Sequence, residues 1–517
     1  MKILKARPTM LTGVLQMPNR KGPYGGWRPC NLRIKAKAKG ITYDRYKPMV
    51  ASNKMALKAN HAHDDGTSSF RIAGLVEDLD DREASGGAYG SSDVPNTEEN
   101  RGQEAQRQNG VENDGQHHGD RYLFGRIADL VAEMKDATKT SGWAVVNQLL
   151  KRHRAFGTYS SVTALVNRPL SIEASKWDVK PGQPELQIAA RMDLTSSTAE
   201  GFAARLKSEI NHVEHTTHVF YCAFKQHDDP QQECQVNRQM MRCLANALDR
   251  ACPNMQAFVV CAGARYYQRQ CSPSKSLPTP FTEDMIRWAD PELRKQTFYY
   301  DWEDELSLSS AGKQWTWCQI IPDAIIGFAP SGSAFSLSAM WATYLTTYAL
   351  REGKGAMVPF PGTKKAYAAK YNEASATIVA NEMIWAAVNS KQIARGECFN
   401  VADSSKPNSM EDMWPRLAAH FGLKGIAPPN GVSSHDTKGM VMPSVYVKQH
   451  CHLLAEKGLK QPQVFKGDWL DVYGLVYEYD RQLSLDKSRK AGFIEQRDPL
   501  KGWVETFERY KTAGMIL

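Results

Sequence analysis

The chain reads as an α/β protein built on a Rossmann-like, doubly wound parallel sheet, with an extended C-terminal part and a low-order N-terminal extension. Three observations predict it. Short apolar, β-branched runs alternate with amphipathic helical stretches at intervals of about 30 to 40 residues, the rhythm of strand–helix–strand units. Two of the apolar runs, Ala257–Ala262 and Trp315–Phe328, flank a helix that opens with two tyrosines. Residues 84–120, by contrast, are rich in Gly, Ser, Asn, Gln and acids with almost no apolar periodicity, and read as a disordered linker.

Taken in order, Leu123–Met134 has helical spacing, and Trp143–Leu150 continues as helix with Ser141 as its cap and Gly142 just inside. Ser161–Val166 and Leu186–Ala190 are strands, and Phe202–Ile210 is a helix. His218–Phe224 is a strongly apolar strand, and Cys234–Arg250 a long amphipathic helix. Right-handed crossovers between such elements give a doubly wound sheet, with ligands at the carboxyl ends of the strands. After Pro330 the pattern changes. Ala334–Arg351 and Ser375–Val388 are apolar helices, Cys398–Ala402 is a late strand, and Met413–Phe421, Val445–Lys457 and Trp469–Leu475 are helical. The expected division is 1–120 as extension, 121–333 as dinucleotide-binding domain and 334–517 as substrate-binding cap with late sheet elements.

Bulk properties narrow the class. A hydrophobic fraction of 42% suits a globular protein, and no run approaches the ~18 apolar residues that cross a bilayer. Ten cysteines without a Cys-x-x-Cys pair point to reduced thiols and a cytoplasmic location. The net charge of +9 is unevenly spread: +13 over residues 1–60, −10 over 61–120 and +6 over the rest. The basic arm Lys2–Lys58 reads as a solvated extension, so neither nucleic acid nor membrane is expected as a partner. His212, His215 and His218 are spaced three apart, but His218 begins a strand, which breaks the helical geometry a metal would need; no metal is expected.

The chemistry concentrates in Phe298-Tyr299-Tyr300-Asp301-Trp302-Glu303-Asp304. A phenol at a helix start beside the sheet can donate a hydrogen bond to an oxygen that gains negative charge during hydride transfer. The acids Glu303 and Asp304 complement the positive end of the helix and are not assigned to catalysis.

Together with Thr217-His218-Val219-Phe220-Tyr221, Ile321-Pro322-Asp323-Ala324-Ile325-Ile326-Gly327-Phe328-Ala329-Pro330 and Ile384-Trp385-Ala386-Ala387-Val388, this run resembles the progesterone 5β-reductase/iridoid synthase-like family of atypical short-chain dehydrogenases/reductases, the fungal members most of all. The resemblance covers about three quarters of the chain, from Ser141 onward. It implies NADP(H) as cofactor and reduction of the carbon–carbon double bond of enones and enals. Tyr299 then holds the catalytic place, with its hydroxyl on the substrate carbonyl oxygen. Arg265, in Ala262-Gly263-Ala264-Arg265-Tyr266, stands where the family has lysine. It keeps a positive charge that would lower the Tyr299 pKa, but lacks the point-like ammonium.

On the cofactor side, the segment aligned with the family's glycine-rich turn, Asp136 to Gly142, retains only Gly142, and the preceding Leu130–Lys135 reads as helix instead of strand. The apolar run Arg71–Val76 is a substitute strand candidate. Asn167 and Arg168 follow the second strand, where a basic residue pairs with a 2′-phosphate. The resemblance further places Asp193 and Leu194 at the adenine, Tyr221, Cys222 and Ala223 beside the nicotinamide ribose, and Pro322 and Ile325 at the nicotinamide end. Phe224, Ala334 and Phe335 fall at its substrate pocket. The implied reaction is hydride 1,4-addition to a small α,β-unsaturated carbonyl compound in secondary metabolism, and a homodimer is an allowed assembly. Carbonyl reduction or sugar epimerisation on the same cofactor, and a non-catalytic Rossmann scaffold that has lost dinucleotide binding, are the alternatives.

Overall fold

A computed structural model describes residues 126–130, 139–151, 159–267, 277–288, 294–330, 336–393, 396–433, 437, 439–459 and 469–517, all within the unit Asp120–Leu517. The expectations for residues 1–120, including Arg71–Val76, lie outside the described residues. Seven strands form the main sheet: β1 (Arg126–Leu130), β2 (Ser161–Leu165), β3 (Glu185–Ala189), β4 (Thr216–Tyr221), β5 (Ala257–Cys261), β6 (Thr316–Pro322) and, much later in the chain, β10 (Glu397–Val401). Their spatial order is β10-β6-β5-β4-β1-β2-β3 and every pairing is parallel. Two parallel pairs lie outside it: β7 (Ile325–Ile326) with β9 (Ala374–Ser375), and β8 (Met357–Pro359) with β11 (Lys424–Ile426).

The sheet is buried on both faces, and its residues sort accordingly. Phe220, Val259 and Ile320 face a core shared with α1 (Lys139–Leu150) and a later helix, Ala376–Val388. Their neighbours Val219, Val260 and Trp317 face the core of α2 (Ala199–Glu209), α3 (Pro230–Ala251) and α4 (Tyr299–Ser310). Side chains that would be solvent-facing in a one-sided sheet are therefore apolar too, which is why these strands read as continuous hydrophobic runs. Helix starts follow local capping chemistry. Thr198 accepts from Gly201 N at 3.1 Å to open α2, and Asp229 accepts from Gln231 N at 2.8 Å ahead of Pro230 in α3.

Four expectations are corrected. The helical spacing of Leu123–Met134 does not produce a helix across that segment: Arg126–Leu130 is a strand inside the sheet, paired with β2 and β4. Pairing on both sides overrides a spacing pattern that short segments satisfy by chance. Trp315–Phe328 is two strands broken at Asp323-Ala324. Ser141 lies inside the first turn of α1 and does not precede it. Val445–Lys457 is two short helices meeting at Cys451.

The C-terminal part is woven into this frame. β10 pairs with β6 over five residues, Glu397↔Cys318 through Val401↔Pro322. Asn400 in β10 accepts the Tyr267 hydroxyl on Oδ1 at 2.5 Å and donates through Nδ2 to the carbonyls of Phe281 and Ser484 at 3.1 Å each. Gly327, of the Gly-Phe-Ala-Pro run, has no room for a side chain, because a Cβ there would run into Thr140 of α1 and Ala376.

Glu382, in helix Ala376–Val388, is buried beneath this layer, and burial pushes its carboxyl up to about 8. The Ser488 hydroxyl lies 2.6 Å from Glu382 Oε1 and 3.0 Å from the Asn400 carbonyl oxygen. A hydroxyl has one proton to give. A protonated Glu382 donating to Ser488, with Ser488 donating to Asn400, satisfies all three groups. Glu373, likewise driven up to about 8 by burial, belongs to the same class. A carboxyl whose folded pKa is raised contributes stability fully present below its unfolded value and lost as pH rises toward the folded value, here between about 4.5 and 8. Each such group costs up to about 1.4 kcal/mol per pH unit across that window. Glu382→Gln, which keeps a donor without titrating, is expected to reduce the fall in Tm between pH 5 and 8, as measured by differential scanning calorimetry.

Candidate functional site

The two tyrosines that begin α4 have opposite roles. Tyr300 is buried, and its hydroxyl donates to the Tyr266 carbonyl at 2.8 Å. Tyr266 in turn donates its hydroxyl to the Tyr299 carbonyl at 3.2 Å and accepts from Gln319 Nε2 at 2.7 Å. This network fixes the backbone at the helix start. The Tyr299 ring is clamped by aromatic neighbours: Tyr266 stacked at 5.2 Å, Phe298 edge-on at 4.6 Å and Trp302 tilted at 5.2 Å between centroids. Its hydroxyl meets no hydrogen-bond partner among the described residues and faces a cavity of about 330 Å³.

That cavity lies at the carboxyl ends of the strands. β5 and the turn after it supply Cys261, Ala262 and Gly263, and Phe224 follows β4. Asp323, Ala324 and Ile325 follow β6, and Thr140 and Ser141 come from the first turn of α1. The C-terminal part adds Leu337 and Met340, from the helix Leu337–Glu352, together with Tyr473, Tyr477 and Arg481. Gly263 is a glycine for a local reason: a Cβ there would sit 2.8 Å from the Tyr299 hydroxyl oxygen.

Burial pushes the Tyr299 phenol well above its ordinary value. The Arg265 charge acts in the expected direction and lowers it, but burial outweighs that effect. The guanidinium is engaged elsewhere: Nη1 donates to Glu233 Oε2 at 2.6 Å and Nη2 to the Gln296 carbonyl at 2.8 Å, with Phe298 beneath it at 5.9 Å. Arg265 and Glu233 thus form an ion pair that walls the cavity. The Cys261 thiol is held below its usual range by contacts with the Cys222 thiol and, at 3.6 Å, the Ser141 hydroxyl, against the effect of burial.

Of the residues singled out from sequence, Tyr299, Arg265, Phe224 and Ile325 line one cavity. Pro322 ends β6 beside it, with its carbonyl 3.8 Å from the position a Gly263 Cβ would take. Gly142 lies in the first turns of α1, next to Thr140 and Ser141; Asp136, Ala137 and Thr138 are outside the described residues, as are Ala334 and Phe335. Asn167 and the exposed Arg168 follow β2 at its carboxyl end. Asp193 accepts from Thr195 N and Oγ at 2.8 and 2.7 Å, closing a turn after β3, and Leu194 is buried in the core. Tyr221 also packs in the core, edge-on to Trp302 at 5.3 Å, with no partner for its hydroxyl among the described residues. Cys222 and Ala223 are buried behind the cavity wall. His212 and His215 stack beside Glu214 on an exposed turn, a cluster of possible ligands, while His218 stands apart in β4 with its pKa driven down to about 4 by burial.

Sequence reading did not find Asp323, Tyr473, Tyr477 or Arg481 as site residues. Tyr473, Tyr477 and Arg481 reach the cavity from segments more than a hundred residues from Tyr299, and nothing local marks them. The one available signal was the Asp323-Ala324 break after an apolar run, a position at a strand's carboxyl end.

The residues fit a dinucleotide. The amino end of α1 follows the interior strand β1 in the chain, its described first turn carries no acidic residue, and Thr140 and Ser141 open into the cavity. A parallel sheet, a helix amino terminus and a phenol converging on one cavity define a Rossmann-fold protein of the short-chain dehydrogenase type. The family model for the PRISE-like Rossmann-fold domain matches residues 132–517, and the chain belongs to that family. Among its relatives are the short chain dehydrogenase sirQ of Leptosphaeria maculans, 30% identical over 394 residues with 75% of this chain and 97% of the relative covered, and the short chain dehydrogenase ausT of Aspergillus calidoustus, 28% identical over 401 residues with 75% and 94% covered. The 3-oxo-Delta(4,5)-steroid 5-beta-reductase of Arabidopsis thaliana is 28% identical over 323 residues, with 60% and 77% covered.

The geometry at Gly263 gives a direct test. Gly263→Ala is expected to shift the Tyr299 hydroxyl by several tenths of an ångström, since its new methyl would lie inside van der Waals contact. The hydroxyl borders the cavity, so the ring can tilt as a unit toward that space, and Tm should change by no more than a few degrees. A crystal structure of the variant with the hydroxyl unmoved would contradict this.

Proposed function

We propose that the protein is an NADPH-dependent reductase of α,β-unsaturated carbonyl compounds. One observation carries the reading: the Tyr299 hydroxyl faces the cavity without a hydrogen-bond partner among the described residues, while the adjacent Tyr300 spends its hydroxyl on the backbone. Kinship with a relative named as a steroid 5-beta-reductase, and with others named as (S)-8-oxocitronellyl enol synthases of Nepeta, supports the reaction class. The bound cofactor would supply a hydride to the β-carbon of the substrate.

The chain's own residues account for the rest. Tyr299 donates to the carbonyl oxygen and strengthens that bond as enolate charge develops. Its raised pKa keeps the proton on the phenol at neutral pH, so it acts as a donor and not as a base. Phe224, Trp302, Leu337 and Met340 give apolar walls that exclude water. Asn167 and Arg168, at the end of β2, would receive the 2′-phosphate, and Thr140 and Ser141 the pyrophosphate side. Arg265 is neutralised by Glu233 and is assigned a supporting role at the Phe298 end of α4, without proton transfer.

Two measurements test this. Titration with NADPH, followed by cofactor fluorescence, should saturate at micromolar concentration; no binding at millimolar cofactor removes the reading. Tyr299→Phe is expected to lower kcat for enone reduction about 10²–10³-fold, the usual cost of one oxyanion donor. NADPH affinity should stay within about twofold, since the hydroxyl acts on the substrate. Equal turnover by the variant would take Tyr299 out of the mechanism.

A further inference from the structure

Two cysteines stand side by side where the sheet meets the cavity. β4 and β5 pair in parallel through Tyr221↔Val260, and the next residue along each chain is a cysteine, Cys222 after β4 and Cys261 at the end of β5. Side chains at register partners of a parallel pair leave the same face of the sheet. The packing agrees: Phe220 and Cys222 on one side, Val259 and Cys261 on the other, meet the same core, shared with α1. The two thiols are in contact, and Cys261 Sγ also lies 3.6 Å from the Ser141 hydroxyl. Both are free thiols. Cys222 is buried, whereas Cys261 is half-buried and lines the cavity.

Neighbouring strands stand about 4.8 Å apart, within the roughly 4.4–6.8 Å between Cα atoms that a disulfide spans. The pair can close into a disulfide with little movement of the backbone. The two sulfurs differ in reactivity. The thiolate is the nucleophile, and a helix amino end with a hydroxyl donor favours it. Cys261 has both, because Ser141 lies in the first turn of α1. Contacts with the Cys222 thiol and with Ser141 hold the Cys261 thiol below its usual range, against the effect of burial. Elsewhere burial pushes Cys243 up to about 11 and Cys252 up to about 12, and raises Cys318 as well. Those three thiols stay protonated at neutral pH, whereas Cys261 joins a setting that favours the thiolate to access from the cavity. The hydride transfer proposed above makes no use of either sulfur.

The geometry points to Cys222 and Cys261 as an oxidation site, at which a peroxide entering through the cavity converts the two thiols to a disulfide. The Cys261 thiolate attacks one oxygen of hydrogen peroxide; the O–O bond breaks, leaving a sulfenic acid on Cys261 and releasing water. The Cys222 sulfur then attacks Cys261 Sγ, the S–O bond breaks, and a second water leaves. The two thiols together give two electrons and two protons to one peroxide, which ends as two waters. The product ties β4 to β5 where both strands reach the cavity.

The test treats the full chain with a few equivalents of hydrogen peroxide, then denatures it in iodoacetamide and digests it. Tandem mass spectrometry should find Cys222 joined to Cys261, and dithiothreitol added before the iodoacetamide should return both as alkylated thiols. In Cys222→Ala the sulfenic acid meets no resolving thiol, so dimedone should label Cys261. In Cys261→Ala, Cys222 should stay unoxidised. On the reductase reading NADPH occupies the cavity, so the cofactor at about ten times its Kd should slow formation of the linked peptide about tenfold. Both cysteines alkylated after peroxide, Cys261 joined to a different cysteine, or dimedone on Cys222 in Cys261→Ala each overturns the inference. An unchanged rate under bound NADPH overturns entry through the cavity. The wild-type linkage decides alone if a variant fails to fold. A chain that binds no NADPH removes the reductase reading, and the linked peptide still decides the oxidation site.

Discussion

The packing of one phenol against one glycine sets the layout of this molecule. The Tyr299 hydroxyl occupies the space that a side chain at Gly263 would need. The turn after β5 therefore favours a residue without a Cβ at 263, and this packing sets the height at which α4 begins above the sheet. The clamp of Tyr266, Phe298 and Trp302 around the ring holds that height. The hydrogen bonds linking Tyr300, Tyr266 and Gln319 tie the helix start to β6. A hydroxyl positioned this way costs little reorganisation when it meets a charged oxygen, which is the condition for electrostatic catalysis.

Charge around the cavity is arranged in matched pairs. Arg265 faces Glu233, and Arg481 faces Asp323. Each guanidinium gives planar, directional donors, and its carboxylate partner cancels the long-range field. Burial therefore dominates at Tyr299, and the phenol stays protonated. The difference between the pairs is one of completion. Arg265 donates to good acceptors at 2.6 and 2.8 Å, whereas Arg481 has one good acceptor and a bed of tyrosine rings.

Much of the frame was legible in the sequence because parallel strands buried on both faces leave continuous apolar runs, as β4, β5 and β6 do. The Tyr-Tyr pair was legible as chemistry, and the resemblance chose between its members; the hydrogen bond of Tyr300 to Tyr266 shows why they differ. The interior strand Arg126–Leu130 was not legible. Its five residues, two of them charged, gain their strand conformation from partners on either side and not from their own pattern. The tyrosines and arginine of the far wall were hidden for a related reason. Tyr473, Tyr477 and Arg481 sit where the chain returns over the sheet, and only three-dimensional proximity gives them meaning.

The late strand β10 has a consequence for how this chain can be divided. It completes the sheet on the β6 side through five register pairs, and Asn400 within it fastens Tyr267, Phe281 and Ser484 together. A fragment stopping before Glu397 would leave the backbone of β6 bare along its whole length, an invitation to adhere to any other extended chain. The segments before and after Pro330 share this one sheet, so neither is expected to fold as an independent module.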